Sequence, residues 1–403
     1  MSVTAINEIF DSFCQFQEES LTNRLFLPAD IERLILKQTG FSCTEVGRSF
    51  EDRPIYLLRK GKGAKKVLLW SQMHGDEATG TMALFDVFNF LRGNHAYNGI
   101  CDTILNNCTL YFVPLVNPDG AERFTRRNAQ GIDINRDFLS QQSPEGKLLK
   151  QLRDDISPDY GFNLHDQSVT WSAGDTGNPA TISLLAPAYD GEGSINGIRK
   201  RAMQIVARIN EDIQAFIPNH VGLFDDEYEP RAFGDNFQAA GTSTVLIEAG
   251  GYPNDFEKQF IRKVYFSAIL SGLISIADES YEQESLESYH SIVPNKKLHF
   301  SVLLRNCFLQ HADGIYRVDI GLVAEETIDD TRQSTLSYVV SDIGDLTGRF
   351  GYQEVNAATY NLLLNGPLEI DKPANFVLQN QSDTILSFEN GRISDKTSNF
   401  NRL

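Results

Sequence analysis

A chain of 403 residues, 41% apolar and 22% charged, holds enough hydrophobic material for a sizeable core and is too apolar for an intrinsically disordered polymer. Because single cores stop growing near ~300 residues, two domains are expected. A net charge of −18 argues against a nucleic-acid partner, since phosphate neutralisation needs clustered lysine and arginine. The opening MSVTAINEIF has neither a basic stretch nor a long apolar one, and no later segment supplies about 18 consecutive apolar residues. A soluble cytoplasmic protein without a membrane partner is the expectation. Cys14, Cys43, Cys101, Cys108 and Cys307 are scattered, odd in number and free of CxxC spacing, which points to reduced thiols rather than disulfides or a thiolate metal site.

In chain order, residues 3–20 and 28–39 carry helix-period apolar patterns, the second with Pro28 and Asp30 at its start. Residues 1–40 therefore read as a helical segment packing on the domain that follows. CTEVGRS and RPIYLLRK read as the two extended runs of a hairpin, followed by the turn-forming GKG. KVLLWSQ is a core strand ending in HGDE, with a helix over 78–91. The alternation recurs: TLYFVPLV runs to Asn117, GFNL to His165 and STVLI to Glu248, with helices near 145–156, 195–216 and 254–277. This pattern predicts an α/β fold, a mixed sheet covered by helices on both faces, whose ligands gather at the carboxyl ends of the strands. The acidic stretch DESYEQESLESYHS marks a boundary, giving a catalytic domain over 41–277 and a linker over 278–295. Alternating runs such as KLHFSVLL, GIYRVDIGLV, TLSYVV, ANFVLQ and TILSFENGRI then predict a small C-terminal β domain over 296–403.

His74 and Glu77 lie three apart just beyond a strand, where a loop entering a helix can turn both side chains to one point, and His165 ends a neighbouring strand. Two imidazoles and a carboxylate are a recurrent set for catalytic zinc, with a fourth position open to water, whereas structural sites are more often closed by four ligands rich in cysteine. Taken alone, an H-x-x-E pair is more often a surface ion pair. Glu248 is a charged residue at the end of a buried run, followed by Ala249-Gly250-Gly251, where glycine leaves room for a substrate; it is the candidate general base. GKGAKK, GEGSING and GTSTV lack the spacing of phosphate-binding loops or of a nucleophile elbow and read as turns. His95, His220, His290, His299 and His311 stand away from the paired segments.

VGRSFEDRPI, QMHGDE, LVNPDG, RRNAQGIDINRDF, NLHDQ and TVLIEAGG occur in that order between residues 40 and 277. In this ordered series the chain resembles the zinc metallocarboxypeptidase family, and in its compactness the bacterial-type members. The resemblance implies one Zn2+ per chain held by His74, Glu77 and His165, with Asp133 hydrogen-bonding a ligating histidine. It further implies that Glu248 is the base and that Arg126 stabilises the oxyanion, with Arg127 the adjacent competitor. Asn135 and Arg136 correspond to the pair that grips the substrate's terminal carboxylate. Tyr228 lies about twenty residues before the base, where the family supplies a tyrosine, and Tyr252 is its alternative. Phe233 is a candidate for lining an apolar pocket and Asp235 for selecting a basic side chain.

The function expected is a zinc-dependent metallocarboxypeptidase that hydrolyses the C-terminal peptide bond with a metal-activated water. The alternative is a zinc-dependent deacylase of N-acyl amino acids or a cell-wall peptide amidase, because each of these substrates also presents a free carboxylate. A third reading, a binding or regulatory protein that keeps the fold without turnover, is disfavoured because no catalytic position is lost. Its signature would be bound zinc with no hydrolysis.

Overall fold

The computed structural model describes residues 3–311, 313–329, 332–380 and 383–396. The chain divides into two compact units, the first built from residues 1–167, 180–250 and 257–295, the second from 168–179, 251–256 and 296–403.

The first unit opens with α1 (Val3–Asp11) and α2 (Pro28–Leu36). α1 is shorter than the apolar period suggests. Beyond it the backbone is captured by a buried ion pair: Glu18 N–H donates to Asp86 at 2.7 Å, and Arg262 donates to the Leu21 and Glu18 carbonyls. α2 starts at Pro28 because Asp30, two residues on, accepts from the Leu27 N–H. β1 (Ser42–Arg48) and β2 (Pro54–Gly61) form the expected antiparallel hairpin, with a bulge between Glu45 and Gly47. Then follow β3 (Lys65–Ser71), α3 (Thr79–Leu91), α4 (Asn98–Asn107), β4 (Cys108–Val113), α5 (Pro118–Arg123), α6 (Pro144–Ile156) and β5 (Tyr160–Asp166). The short β6 (Trp171–Ala173) belongs to the second unit. The first unit resumes with β7 (Ile182–Leu185), α7 (Gly197–Ile213), β8 (Val221–Leu223), α8 (Phe233–Ala239), β9 (Ser243–Ala249) and α9 (Gln259–Asp278).

Eight strands form one mixed sheet in the order β1-β2-β4-β3-β5-β9-β7-β8. At its centre β4, β3, β5 and β9 are parallel, flanked by antiparallel pairing of β2 on one side and β7 on the other. Successive side chains alternate across it. Leu68 and Trp70 pack in one cluster with Leu149 and Leu152 of α6 and Phe233 and Phe237 of α8. Phe162 of β5 faces the other way, against Gly272 of α9, which in turn packs on α3, α4 and α7. Helices on both faces bury the central strands, as the continuous apolar runs of the sequence require.

α9 is apolar enough, at mean hydropathy 1.5, to pass as a membrane span by composition, but 89% of that window is buried inside the protein. It is the core helix of the first unit. Residues 278–295, read from the sequence as an acidic linker, instead fold onto this unit as a 3-10 turn (Ser280–Gln283) and α10 (Leu286–His290). Their aromatic residues explain the difference: Tyr281 and Tyr289 are buried, and their hydroxyls pair with Tyr160 Oη and the Ala186 N–H.

β10 (Asn295–Lys297) leads into the second unit. There β11 (His299–His311), β12 (Gly314–Ile328), β13 (Ser334–Gly344) and β14 (Phe350–Asn356) form one sheet. β15 (Asn361–Leu364), β16 (Phe376–Asn380), β17 (Asp383–Glu389) and β18 (Arg392–Lys396) form another. Val302, Leu304, Ile320, Leu322, Phe376 and Phe388 share its core. Segments 168–179 and 251–256, which the sequence places in the catalytic domain, group with this unit. Ser172 Oγ lies 2.7 Å from His299 Nδ1, and Tyr352 donates to the Val169 carbonyl at 2.9 Å.

Candidate metal centre

Three central strands deliver the site. β3 ends at Ser71, and the chain turns through Gln72, with φ 54°, before His74 and Glu77. This loop lies directly on α5: a Cβ on Gly75 would fall 2.0 Å from the Gly120 carbonyl carbon, so only glycine fits there. Asn117 links the two, accepting from the Gly120 N–H at 2.9 Å as the cap of α5 and donating to the Met73 carbonyl at 3.2 Å. LVNPDG is thus the support of the HGDE loop.

His74 Nδ1 lies 2.7 Å from Glu77 Oε1, and His165 Nδ1 lies 2.7 Å from Glu77 Oε2. All three side chains are buried, and one ligand atom from each falls within 4.8 Å of the others. Behind them Asp133 Oδ1 is 3.0 Å from His74 Nε2, which turns His74 Nδ1 toward the cluster. Glu248, the Cα partner of His165 in the β5–β9 register, is buried, and its Oε2 has no hydrogen-bond partner.

The electrostatics follow from this crowding. Burial raises and the two histidines lower the proton affinity of Glu77, and the histidines prevail, holding it well below the usual carboxylate range. Burial disfavours the His74 imidazolium, yet Glu77 and Asp133 outweigh it and lift the pKa to about 9. For His165 burial prevails over Glu77 and its pKa falls. Burial raises that of Asp133, but His74, Arg126 and Arg136 bring it down. Glu248 is pushed well above the usual range, first by burial and then by repulsion from Glu77 and Asp166.

A buried cluster of two imidazole nitrogens facing one carboxylate, with one imidazole buttressed by a second carboxylate, fits zinc: hard and borderline donors, deprotonated or deprotonatable, without a thiolate. His74, Glu77 and His165 are the residues that would hold it.

The other sequence candidates distribute around this cluster. Arg126 reaches it, with Nε and Nη2 at 3.1 and 3.0 Å from Asp133 Oδ2 and Nη1 at 3.2 Å from Glu77 Oε1, while 45% of its side chain stays exposed. Arg127 turns back on its own loop to the Gly131 carbonyl. Asn135 accepts from the Phe233 N–H at 3.0 Å, pinning the start of α8. Arg136 donates to the Asn135 carbonyl and holds Glu229 in an ion pair, Nε to Oε2 3.2 Å. Tyr228 lies half-buried in the loop between β8 and α8, and no hydrogen bond ties it to the ligand group. Tyr252 belongs to the second unit.

One expectation is corrected. Phe233 lines no pocket: it is fully buried, with ring centroids 5.3 Å from Phe138 and 5.8 Å from Phe237, because Phe233 and Phe237 share the inner face of α8. Asp235 accepts from the Glu229 N–H at 3.0 Å, so one of its oxygens is committed to shaping the loop, and burial pushes it up to about 6. Sequence reasoning also missed Thr79, Asp166 and Lys258, which meet beside the cluster. Lys258 Nζ donates to Asp166 Oδ2 and to the Ala249 carbonyl, each at 3.0 Å. The aspartate directly after His165 was the one available signal.

Residues 36–179 match the sequence profile of the family described as zinc carboxypeptidase. Carboxypeptidase SOL1 of Arabidopsis thaliana is 36% identical over 103 residues, covering 23% of this chain and 21% of its own length. Carboxypeptidase 2 of Trichophyton rubrum is 26% identical over 234 residues, covering 55% and 40%. The chain thus spans less than half the length of these curated relatives. Bovine thrombin-activatable fibrinolysis inhibitor, solved in complex with tick carboxypeptidase inhibitor, superposes with a TM-score of 0.50 at 17% identity over 64% of this chain and 98% of that one, a likeness of fold. His74, Glu77, Arg126, Asp133 and His165 all fall inside the matched segment, so the stretch that builds this metal centre is the part of the chain that is similar to the zinc carboxypeptidase family.

Proposed function

We propose that the protein is a metallocarboxypeptidase that removes the C-terminal amino acid of a peptide bearing a free carboxylate. The observation that carries this reading is the buried cluster in which both histidine Nδ1 atoms face the two oxygens of Glu77, with the unpartnered Oε2 of Glu248 on the adjoining strand.

Zinc bound by His74, Glu77 and His165 would polarise the scissile carbonyl and acidify the attacking water. Glu248 takes the proton of that water and returns it to the leaving nitrogen. Burial beside other carboxylates raises its proton affinity, which strengthens the ionised group as an acceptor of the water's proton. Arg126, anchored at Nε by Asp133 and half-exposed beyond it, offers its guanidinium to the charge growing on the carbonyl oxygen. Asp133 therefore serves two neighbours, orienting His74 and Arg126 together. Arg136 takes the substrate's terminal carboxylate in place of Glu229, with Asn135 beside it. Tyr228 sits on the loop nearest that position in sequence and is assigned to substrate binding with them.

Mass spectrometry of peptides with free or amidated C-termini, incubated with the zinc-loaded protein, tests the reading. Single residues should be lost from free C-termini alone. Glu248→Gln should slow this by about 10²- to 10⁴-fold while keeping its zinc. Equal cleavage of amidated peptides, or loss of metal in Glu248→Gln, would contradict the assignment; turnover of N-acyl amino acids in place of peptides would replace it. A cytoplasmic location belongs to the same proposal, supported by five cysteines that are all free thiols, and is checked by cell fractionation.

A further inference from the structure

The loop into α3, the end of β5 and the end of β9 each bring a group to the metal centre, so the site is only as accurate as the spacing of three separate pieces of backbone. One buried junction ties all three. Asp166, directly after His165, accepts at Oδ2 from Thr79 Oγ1 at 2.7 Å and from Lys258 Nζ at 3.0 Å, and its own N–H donates to Glu77 Oε2 at 3.1 Å. The Lys258 ammonium donates a second bond, at 3.0 Å, to the carbonyl of Ala249, the residue after Glu248. The two side chains are 10% and 7% exposed. Lys258 holds a left-handed backbone, φ 51°, at the head of α9, a conformation that a non-glycine residue keeps only when its surroundings demand it.

An ion pair of this kind is a poor means of stabilising a fold, because desolvation consumes most of the Coulombic gain and an apolar pair of similar volume does as well or better. Its placement is what distinguishes it. We propose that Lys258 and Asp166 are positioning residues for hydrolysis: a clamp that fixes the end of β9, and with it Glu248, against the end of β5 and the start of α3, which carry the metal-holding residues. This rests on the reading of Glu248 as the base. The clamp touches neither substrate nor metal; it sets the distance between them and the base. Losing it lets strand ends drift by fractions of an ångström, and misplacement on the order of 1 Å can cost about 10²-fold in rate.

The test uses the full-length protein as Lys258→Met, Asp166→Asn and the double variant. It measures kcat and KM on a peptide with a free C-terminus, zinc affinity by competition with a chromophoric chelator, and the thermal midpoint. Each single variant should lower kcat about 10- to 100-fold with KM within about 3-fold, and weaken zinc about 10-fold. Because the pair acts as one unit, the double variant should be no worse than the worse single one. Retained kcat, a rise in KM alone, or losses that multiply in the double variant would overturn the proposal. Should Lys258→Met fail to fold, Asp166→Asn, which preserves volume, carries the same comparison. Should the wild type cleave no peptide, the chelator competition still decides: unchanged zinc affinity in both single variants refutes the clamp, whereas weakened affinity upholds it and leaves only the peptidase reading refuted.

Discussion

His74 holds its proton to about pH 9 in the metal-free protein, because Glu77 and Asp133 outweigh the burial that opposes the charge. That folded value lies above the unfolded one near ~6.5, so the charged imidazole stabilises the metal-free fold fully below that pH, and the contribution fades as pH rises through 9. Zinc competes for the same nitrogen. Titration calorimetry at neutral pH, run in buffers of different ionisation enthalpy, should therefore show about one proton released per zinc, vanishing above about pH 9, with affinity rising over that range. No proton release at pH 7 would contradict the His74 assignment. At this scale the sequence was informative where a residue's role depends on its immediate neighbours: His74 and Glu77 follow the apolar run of β3 in one short loop, His165 and Glu248 close the apolar runs of β5 and β9, and all four meet at the cluster. It misled at Phe233, whose burial depends on a helix face invisible in a loop-like segment, and was silent on Lys258, whose partners lie 9 and 92 positions away.

Elements explain why the HGDE loop tolerates so little change. Gly75 lies against the backbone of α5, so Gly75→Ala forces the loop off its support. Overpacking against backbone costs about 1–3 kcal/mol, and since His74 and Glu77 flank the displaced residue, zinc affinity should fall about 10-fold or more. Urea unfolding and chelator competition on the same variant check both halves; loss of stability without loss of zinc would show that the loop can shift as a rigid piece. The strands that carry the site were readable as buried runs because parallel central strands are covered on both faces. β7 and β8 were not, having four and three residues, too few for a period, and α5 offers only six. α1 stops early for a tertiary reason, the capture of Glu18 and Leu21 by Asp86 and Arg262, which no local pattern encodes.

On the scale of the molecule, the core of the first unit is organised around α9, whose Arg262 forms a fully buried ion pair with Asp86 of α3. Asp86→Asn leaves the guanidinium buried without its counter-charge and should cost about 3–5 kcal/mol, seen as a lower urea midpoint at unchanged slope. A loss under about 1 kcal/mol would mean that the carbonyls of Leu21 and Glu18 suffice. The composition of the chain implied two domains, and two units are found, yet 168–179 and 251–256 join the second through contacts with residues more than a hundred positions away, beyond the reach of any sequence window. α9 has a further consequence for biosynthesis. It packs on α1, α3, α4 and α7, all of which leave the ribosome before it, so their apolar faces stay uncovered until about residue 278 has emerged. Folding of this unit is thereby expected to wait for the end of its translation. Nascent chains arrested short of α9 should remain protease-sensitive, and those arrested well beyond it should resist.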